Sequence, residues 1–475
     1  MSERLRHARQ PLLDLQQLLV SKPLIHPDTR LARRLHISAV RREFELFMLK
    51  TVAFSTILTL LVSTGAAQSD SRGPGAGPET VRLDDLISEL LKNNPEIQAA
   101  RKRFEAAETR PIQESALPDP RIGVGWASTG NPLPGFGLGT EPMANVGLQI
   151  SQEIPFPGKR SLRSAVASKE AESEGQTFRS TELARVTQLK SAFHQLRFVY
   201  DAIDVLRRNQ NLLHRLAKVA EVRYSAGQGS QQDLIRAEIE INLLDGRVMQ
   251  LEQQRDSLEA EISELLNRPV ERPLGRPEAL EVVPPLVPLE NLQRQALTRS
   301  PALRSKRALI DSRQLGIEMA RKEYYPDFEI MGGYFNQGGM KDMWEFRVEV
   351  SIPIFYSRKQ RPGLEEAGLR LAEAQRLYRA EERELRFRVR DRYLEAETAR
   401  RLMNLYSDII TPRSTLALES SLGSYEAGQI NFQSVLMNFT TILDSEFNFH
   451  EQKAKYLTAL AQIDELIGMT GLENH

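Results

Sequence analysis

The sequence predicts a mainly α-helical protein carrying a small membrane-type β-sheet, built from one helix–strand–strand–helix–helix unit written twice. Three observations predict it. Tyr224-Ser225-Ala226-Gly227-Gln228 and Tyr425-Glu426-Ala427-Gly428-Gln429 are nearly the same five residues, set about two hundred positions apart. Each follows a long helical pattern and precedes another, and a glycine between two helices can take the positive φ that a tight turn needs. Ahead of each long pattern lies a pair of segments whose apolar residues alternate with a period of two.

Composition sets the outer bounds. The 475 residues carry 63 Lys and Arg against 63 Asp and Glu, so there is no basic field for nucleic acid. Aromatic residues are 7%, and long stretches rich in Ala, Leu, Glu, Arg and Gln suit extended helices. The sequence has no cysteine, which excludes disulfides, thiolate metal sites, a cysteine nucleophile and a lipid-modified cysteine within it.

Met48-Leu49-Lys50, an apolar run from Val52 to Val62 and the small residues Ser63 to Ala67 describe a secretory signal. The run is shorter than the roughly 20 residues of a membrane-spanning helix. Residues 1–67 therefore read as an upstream extension plus signal, with Met48 a candidate true start, and 68–82 as a flexible Gly/Pro-rich leader. The first repeat covers 83–268. A helical pattern from Leu83, interrupted near Pro95, runs to about Glu114, and the strand pair occupies 121–154. Val124, Trp126, Val146, Leu148 and Ile150 fall on one face, and Gly123, Gly125, Gly147 and Gln149 on the other.

Proline stops the second strand at Pro155 and Pro157, next to Gly158, because it cannot donate to a ladder. The helix from there to Tyr224 would be about 95 Å long at about 1.5 Å per residue. After the tip at 224–229, Leu234, Ile241, Val248 and Ile262 form one heptad seam, with Arg255 the polar intruder. Ala237, Leu244, Leu251, Leu258 and Leu265 form a second.

Residues 269–288 form a proline-rich linker, and the second repeat covers 289–468, with a tail at 469–475. Leu289, Leu292, Leu297, Pro301 and Leu303 restate Leu83, Leu86, Leu91, Pro95 and Ile97; Pro326 restates Pro120, and Pro353 restates Pro155. The second strand pair is expected at 327–354, where Phe346, Val348, Val350 and Ile352 alternate with Arg347, Glu349 and Ser351. A helix from Lys359 to Tyr425, kinked at Pro412, leads to the tip at 425–429. Val435, Ile442, Phe449, Tyr456 and Ile463 then recur every seven residues. Four strands cannot close a membrane barrel, whose smallest form has about eight, and two hairpins leave the flanks of a coiled coil bare. Several copies in a ring would cure both deficits.

With these residues in hand the chain resembles the TolC-type outer-membrane efflux proteins, from about Leu83 to Gly468. The resemblance is carried by the two tips, Leu117-Pro118-Asp119-Pro120, Pro155 to Arg160, and Ile352-Pro353-Ile354-Phe355. It implies a homotrimer with a twelve-stranded barrel in outer-membrane lipid, continued into a long coiled-coil periplasmic tunnel. The implied role is the passive exit duct of a tripartite pump, joined to a periplasmic adaptor and an inner-membrane transporter of the RND or another type. The adaptor contacts implied are Tyr224, Ala226, Gly227, Gln228, Tyr425, Ala427, Gly428 and Gln429. Pro155 to Arg160, Met340 to Trp344 and Ser357 to Pro362 are closer to the heavy-metal branch. The cargo stays open between metal cation, drug and polypeptide.

Drug-exporting relatives often carry aspartates at the entrance after the second tip, where this chain has Ser434 and Met437. Asp233 is the acid kept in the first repeat, so the candidate entrance is Asp233, Ser434 and Met437, and an acidic ring there is not expected. Asp233 also suits a helix first turn in its own right. Met331, Met340 and Met343 read as strand and loop residues rather than a copper(I) relay. His194, His214 and His450 lack a partner at helical spacing for a zinc pair. Gly135 to Gly139 lack the strand-to-helix setting of a phosphate loop. No catalytic, cofactor or metal constellation appears, and the chain makes no case for an enzyme. The competing class is a periplasmic adaptor or a structural coiled-coil protein without a pore.

Overall fold

A computed structural model describes residues 80–470 apart from 129, 131, 272, 273 and 280–282. The expected signal, the upstream extension, most of the leader and most of the tail lie outside the described residues. The elements are α1 (Leu83–Asn93), α2 (Pro95–Ser115), β1 (Arg121–Ala127), β2 (Asn145–Ile154), α3 (Lys159–Ser225) and α4 (Gln231–Leu265). The second series is α5 (Leu289–Arg299), α6 (Pro301–Lys322), β3 (Asp327–Asn336), β4 (Met343–Ser351), α7 (Gln360–Leu405), α8 (Thr411–Glu426) and α9 (Phe432–Ile467).

The break at Pro95 is a cap. Asn94 leaves the helical region, and its Oδ1 accepts from the N–H groups of Glu96 and Ile97, both at 3.0 Å. Its Nδ2 donates to the Leu265 carbonyl at 2.8 Å, tying the start of α2 to the end of α4. Pro412 acts differently from the expected kink. The chain stays helical through it, and a π turn at Tyr406–Ile410 joins α7 to α8, with the Thr411 N–H donating to the Tyr406 carbonyl. Pro412 has no N–H for the turn before it, and a widened turn absorbs the mismatch.

Near the tip one of the two heptad seams on α4 forms the core: Ala237, Leu244 and Leu251 are buried, while Leu234, Ile241 and Val248 are only half-buried. At the far end of α4 both seams are buried, through Ile262 and Leu265, with Leu258 half-buried. Ala237, Leu244 and Leu251 pack with Leu206 and Leu213 of α3 and with Phe432, Val435 and Phe439 of α9, so α3 and α9 bring the two hairpins together. Arg255 pairs with Asp256 on its own helix at 2.8 Å rather than across a seam. His194 sits in the core, where burial first, then Lys190 and Lys453, pushes its imidazole down to about 3.

The sheet runs β1-β2-β3-β4, antiparallel throughout. Ladder positions Val124, Leu148, Tyr334 and Trp344 lie in one row, as do Ile122, Ile150, Gly332 and Phe346. One face therefore carries Ile122, Val124, Trp126, Leu148, Ile150, Ile330, Trp344, Phe346, Val348 and Val350, all exposed. β4 ends at Ser351, so Ile352 to Ile354, expected as strand, lie beyond it. The opposite face holds the expected glycines and charges, with one addition. Phe335 points there and is buried, its ring lying over Gly125, Gly147 and Gly333.

Candidate functional site

At the junction of sheet and helix, Pro155 is buried, Pro157 is exposed and Gly158 takes φ 92° as the residue before α3. The turn delivers Lys159, whose side chain is 1% exposed. Its Nζ donates to Asp327 Oδ2 at 2.9 Å and to the Tyr325 carbonyl at 3.1 Å, with Glu323 at 3.5 Å. Asp327 Oδ1 accepts from the Phe156 N–H at 2.7 Å. Phe156 stacks on Tyr325 at 4.6 Å, with the Lys322 ammonium over both rings. This latch ties the start of α3 to the start of β3 across the two repeats.

Removing one partner of a buried ion pair strands the other, at a cost of about 3–5 kcal/mol. Lys159→Met is expected to lower the unfolding temperature in detergent clearly. Adding Asp327→Asn should recover part of the loss, since the amide still accepts from Phe156. Pro353, at the matching place in the second repeat, is half-buried, and Ile352, Ile354, Phe355 and Tyr356 around it are exposed.

The tips are the second part of the site. The Gln228 N–H donates to the Arg223 carbonyl at 2.9 Å and Gly227 to Tyr224 at 3.0 Å. The second tip repeats this with Gln429 to Ser424 at 2.8 Å and Gly428 to Tyr425 at 2.9 Å. Gly227 and Gly428 take φ 72° and 76°. This is the helix-ending turn that satisfies the last carbonyls, and only glycine enters it without strain. Ser230 and Asn431 then cap α4 and α9 with their side-chain oxygens. Ala226, Gly227, Gln228, Ala427, Gly428 and Gln429 are all exposed.

The two tyrosines are not equivalent. Tyr224 is 46% exposed and Tyr425 is 2% exposed. Phe432 packs edge-on against the Tyr425 ring at 5.6 Å within the core, and over that ring, at 4.8 Å, lies Arg223. Its guanidinium donates to the carbonyls of Tyr425, Glu426 and, within its own tip, Gln228. The Tyr425 hydroxyl is buried beside the Asp233 carboxylate. Burial first, then the nearby Asp233 carboxylate, raises its phenol above the usual range. Arg236 of α4 donates to Gln433 of α9 as a second strap.

Of the candidate entrance residues, Asp233 is half-buried beside Tyr425. Ser434 gives its hydroxyl to Asn431 at 2.9 Å, and Met437 is exposed. Periodicity alone could not find Arg223 or Lys159, because both are basic residues in arginine- and lysine-rich helix ends. Met331 lies opposite Arg347 and Met343 opposite Phe335, so these methionines do not converge. Among the described residues there is no cluster of three or more His, Cys, Asp or Glu placed to hold a metal.

An open four-stranded sheet with one apolar outer face, continued into two capped helical hairpins, defines a duct-type membrane protein rather than an adaptor or a free coiled coil. The sequence profile of the family described as Outer membrane efflux protein matches residues 86–268 and 292–469. The chain belongs to that family, and it is an outer-membrane efflux protein with its helical hairpins on the periplasmic side.

Similar proteins include the cobalt-zinc-cadmium resistance protein CzcC of Cupriavidus metallidurans, 21% identical over 394 residues, covering 83% of this chain and 91% of that protein. The probable outer membrane lipoprotein SilC of Salmonella typhimurium is 21% identical over 487 residues, covering 90% and 99%. In fold, the chain is similar to the outer-membrane channel OprN, with a TM-score of 0.71, 16% identity and coverage of 81% and 89%. The structure of CusC gives a TM-score of 0.71, 14% identity and coverage of 84% and 96%.

Proposed function

We propose that this chain, as a ring of three copies, is the passive exit duct of a tripartite pump that expels metal cations across the outer membrane. The ring pools twelve strands into one barrel and six hairpins into one tunnel. Supporting it, β1 and β4 are the end strands of the sheet, and α4 and α7–α8 leave Ile235, Ile239, Leu243, Leu394, Leu405 and Leu416 exposed on their flanks. Energy comes from an inner-membrane transporter, reached through a periplasmic adaptor that grips the exposed tips. Asp233, Ser434 and Met437 line the periplasmic entrance.

The observation that carries the cation reading is the inner face of the sheet. Glu153, Glu329 and Glu349 stand directly opposite one another on β2, β3 and β4. Asp327 and Glu345 share that face; Asp327 is held by Lys159, Arg121 pairs with Glu153 at 3.8 Å, and Arg347 pairs with Glu345 and with Glu349 at 3.3 Å. Five carboxylates against those three cations leave the face net negative, with Glu329 between two further carboxylates, an arrangement that passing cations would relieve. The resistance role in the name of CzcC agrees with this.

Reconstituted in a planar bilayer under a salt gradient, the protein is expected to conduct with a preference for cations. Changing Glu153, Glu329 and Glu349 together to Gln should erase most of that preference. An anion-selective channel, or a protein without conductance, would sink the reading.

A further inference from the structure

The turn after β4 takes no part in the latch. We propose that residues 352–361 bind anionic phospholipid of the periplasmic leaflet of the outer membrane, with Phe355 and Tyr356 at the acyl boundary and Arg358, Lys359 and Arg361 on the phosphates. This rests on the outer apolar face of the sheet meeting lipid.

Aligned on Pro155 and Pro353, the two repeats leave the sheet differently. In the first, α3 starts at Lys159 and the turn is taken up by the latch, with Phe156 stacked on Tyr325 and Lys159 held by Asp327. In the second, Ile354, Tyr356 and Ser357 take the places of Phe156, Gly158 and Lys159, and α7 starts only at Gln360. A second copy brought up in the manner of β3 would offer Leu117, Asp119 and Arg121 in the places of Glu323, Tyr325 and Asp327, one acid against three cations.

The longer turn satisfies much of its own backbone. The N–H groups of Arg358 and Lys359 donate to the Phe355 carbonyl at 3.0 and 3.1 Å, and that of Arg361 to the Tyr356 carbonyl at 2.9 Å. Spacings of three and four residues in such a turn set Phe355 beside Arg358 and Lys359. Phe355 is 69% exposed, and Ile352, Ile354, Tyr356 and the three cations are exposed with it. None of these cations has a side-chain partner among the described residues. Of the next acids along α7, Glu366 is taken by Arg370 at 2.6 Å.

Position gives the turn its ligand. β4 carries Phe346, Val348 and Val350 along the outer face, exposed Ile352 continues their alternation, and the helices beyond are periplasmic. The turn therefore lies where hydrocarbon gives way to headgroups. Aromatic rings gather at that level, and cations next to apolar side chains reach phosphate from it. Three cations within four positions, without an internal counter-ion, favour an anionic headgroup over a zwitterionic one, each by about fivefold near a charged surface.

The test sets a fluorescent reporter in the turn. The full chain with Phe355→Trp, and with its two tryptophans removed as Trp126→Phe and Trp344→Phe, is reconstituted in phosphatidylcholine vesicles. The quencher is either brominated phosphatidylglycerol or brominated phosphatidylcholine. Both should quench, with phosphatidylglycerol preferred by about fivefold or more at low salt and by less at high salt. Adding Arg358→Gln, Lys359→Gln and Arg361→Gln should bring the ratio to about one, whereas Arg358→Lys with Arg361→Lys should keep it. If the reporter background does not assemble, native mass spectrometry with phosphatidylglycerol makes the same comparison, and the chain altered only by the three Gln changes should hold fewer lipids.

Quenching by the two lipids alike, or equal lipid counts, would overturn the proposal. So would an unquenched Phe355→Trp reporter beside a quenched Val348→Trp one, since the turn would then stand clear of the bilayer. An unquenched Val348→Trp reporter would instead overturn the lipid-facing sheet itself.

Discussion

In the proposed ring, with the strap between the tips taken to hold the periplasmic end closed, Arg223→Ala is expected to raise the resting conductance in a planar bilayer by about 5–30-fold. That range corresponds to losing one or two kcal/mol from the closed arrangement. Arg223 is the strap between the tips. It holds the Tyr425 and Glu426 carbonyls from the first hairpin and covers the Tyr425 ring. Hydrogen bonds from a charged donor are each worth about 1.5–3 kcal/mol, and partial exposure reduces that here. Arg223→Lys keeps the charge and loses the planar fork, so its conductance should fall between wild type and Arg223→Ala.

The matching position in the second repeat is Ser424, and the matches of Asp233 and Arg236 are Ser434 and Met437. In the proposed ring, the seam between copies would then have no such strap, and opening would begin there. Unchanged conductance from a normally assembled Arg223→Ala channel would refute this account of the closed state.

Gly147→Val is expected to abolish assembly, with about a tenfold or greater loss of folded protein from the outer membrane. A Cβ at Gly147 would lie 2.1 Å from the Tyr334 carbonyl oxygen, 2.5 Å from the Phe335 ring and 2.7 Å from the Phe335 Cα. Two of those neighbours are backbone of the paired strand, so the clash cannot be relieved by a rotamer change. The pair it breaks is β2–β3, the strand ladder that joins the two hairpins of the sheet.

Gly332→Val is the control. It lies on the outer face with nothing within 4 Å of an added Cβ, and assembled protein should stay within about twofold of wild type. Abundance in purified outer membranes and resistance to mild protease would read both variants. Equal loss in the two would mean that strand glycines matter here for flexibility rather than for close approach.

Much of this was legible locally. Alternation in Val146 to Ile150 and in Phe346 to Val350 placed the apolar face, because strand side chains alternate whatever surrounds them. The tips were legible because a glycine followed by a capping Ser or Asn marks a helix end and the next start. Phe335 was not, since period two assigns it to the polar face and cannot register that three neighbouring glycines leave room for a ring. Nor was the π turn at Tyr406–Ile410, where Pro412 alone suggested a kink. The family assignment and the duplicated hairpin agree, but the roles of Asp233, Ser434 and Met437 stay with the proposal above.

The sequence by itself determined the duplication, the element order and the phase of each strand, since these depend on residues within a few positions of one another. Only the tertiary structure decided how two nearly identical tips differ. Tyr425 is buried between Phe432 and Arg223, which reaches over from the other hairpin, while Tyr224 is exposed, and Lys159 likewise finds Asp327 across the repeats. Contacts of that span depend on how helices far apart in the chain are set side by side, and no local pattern records it.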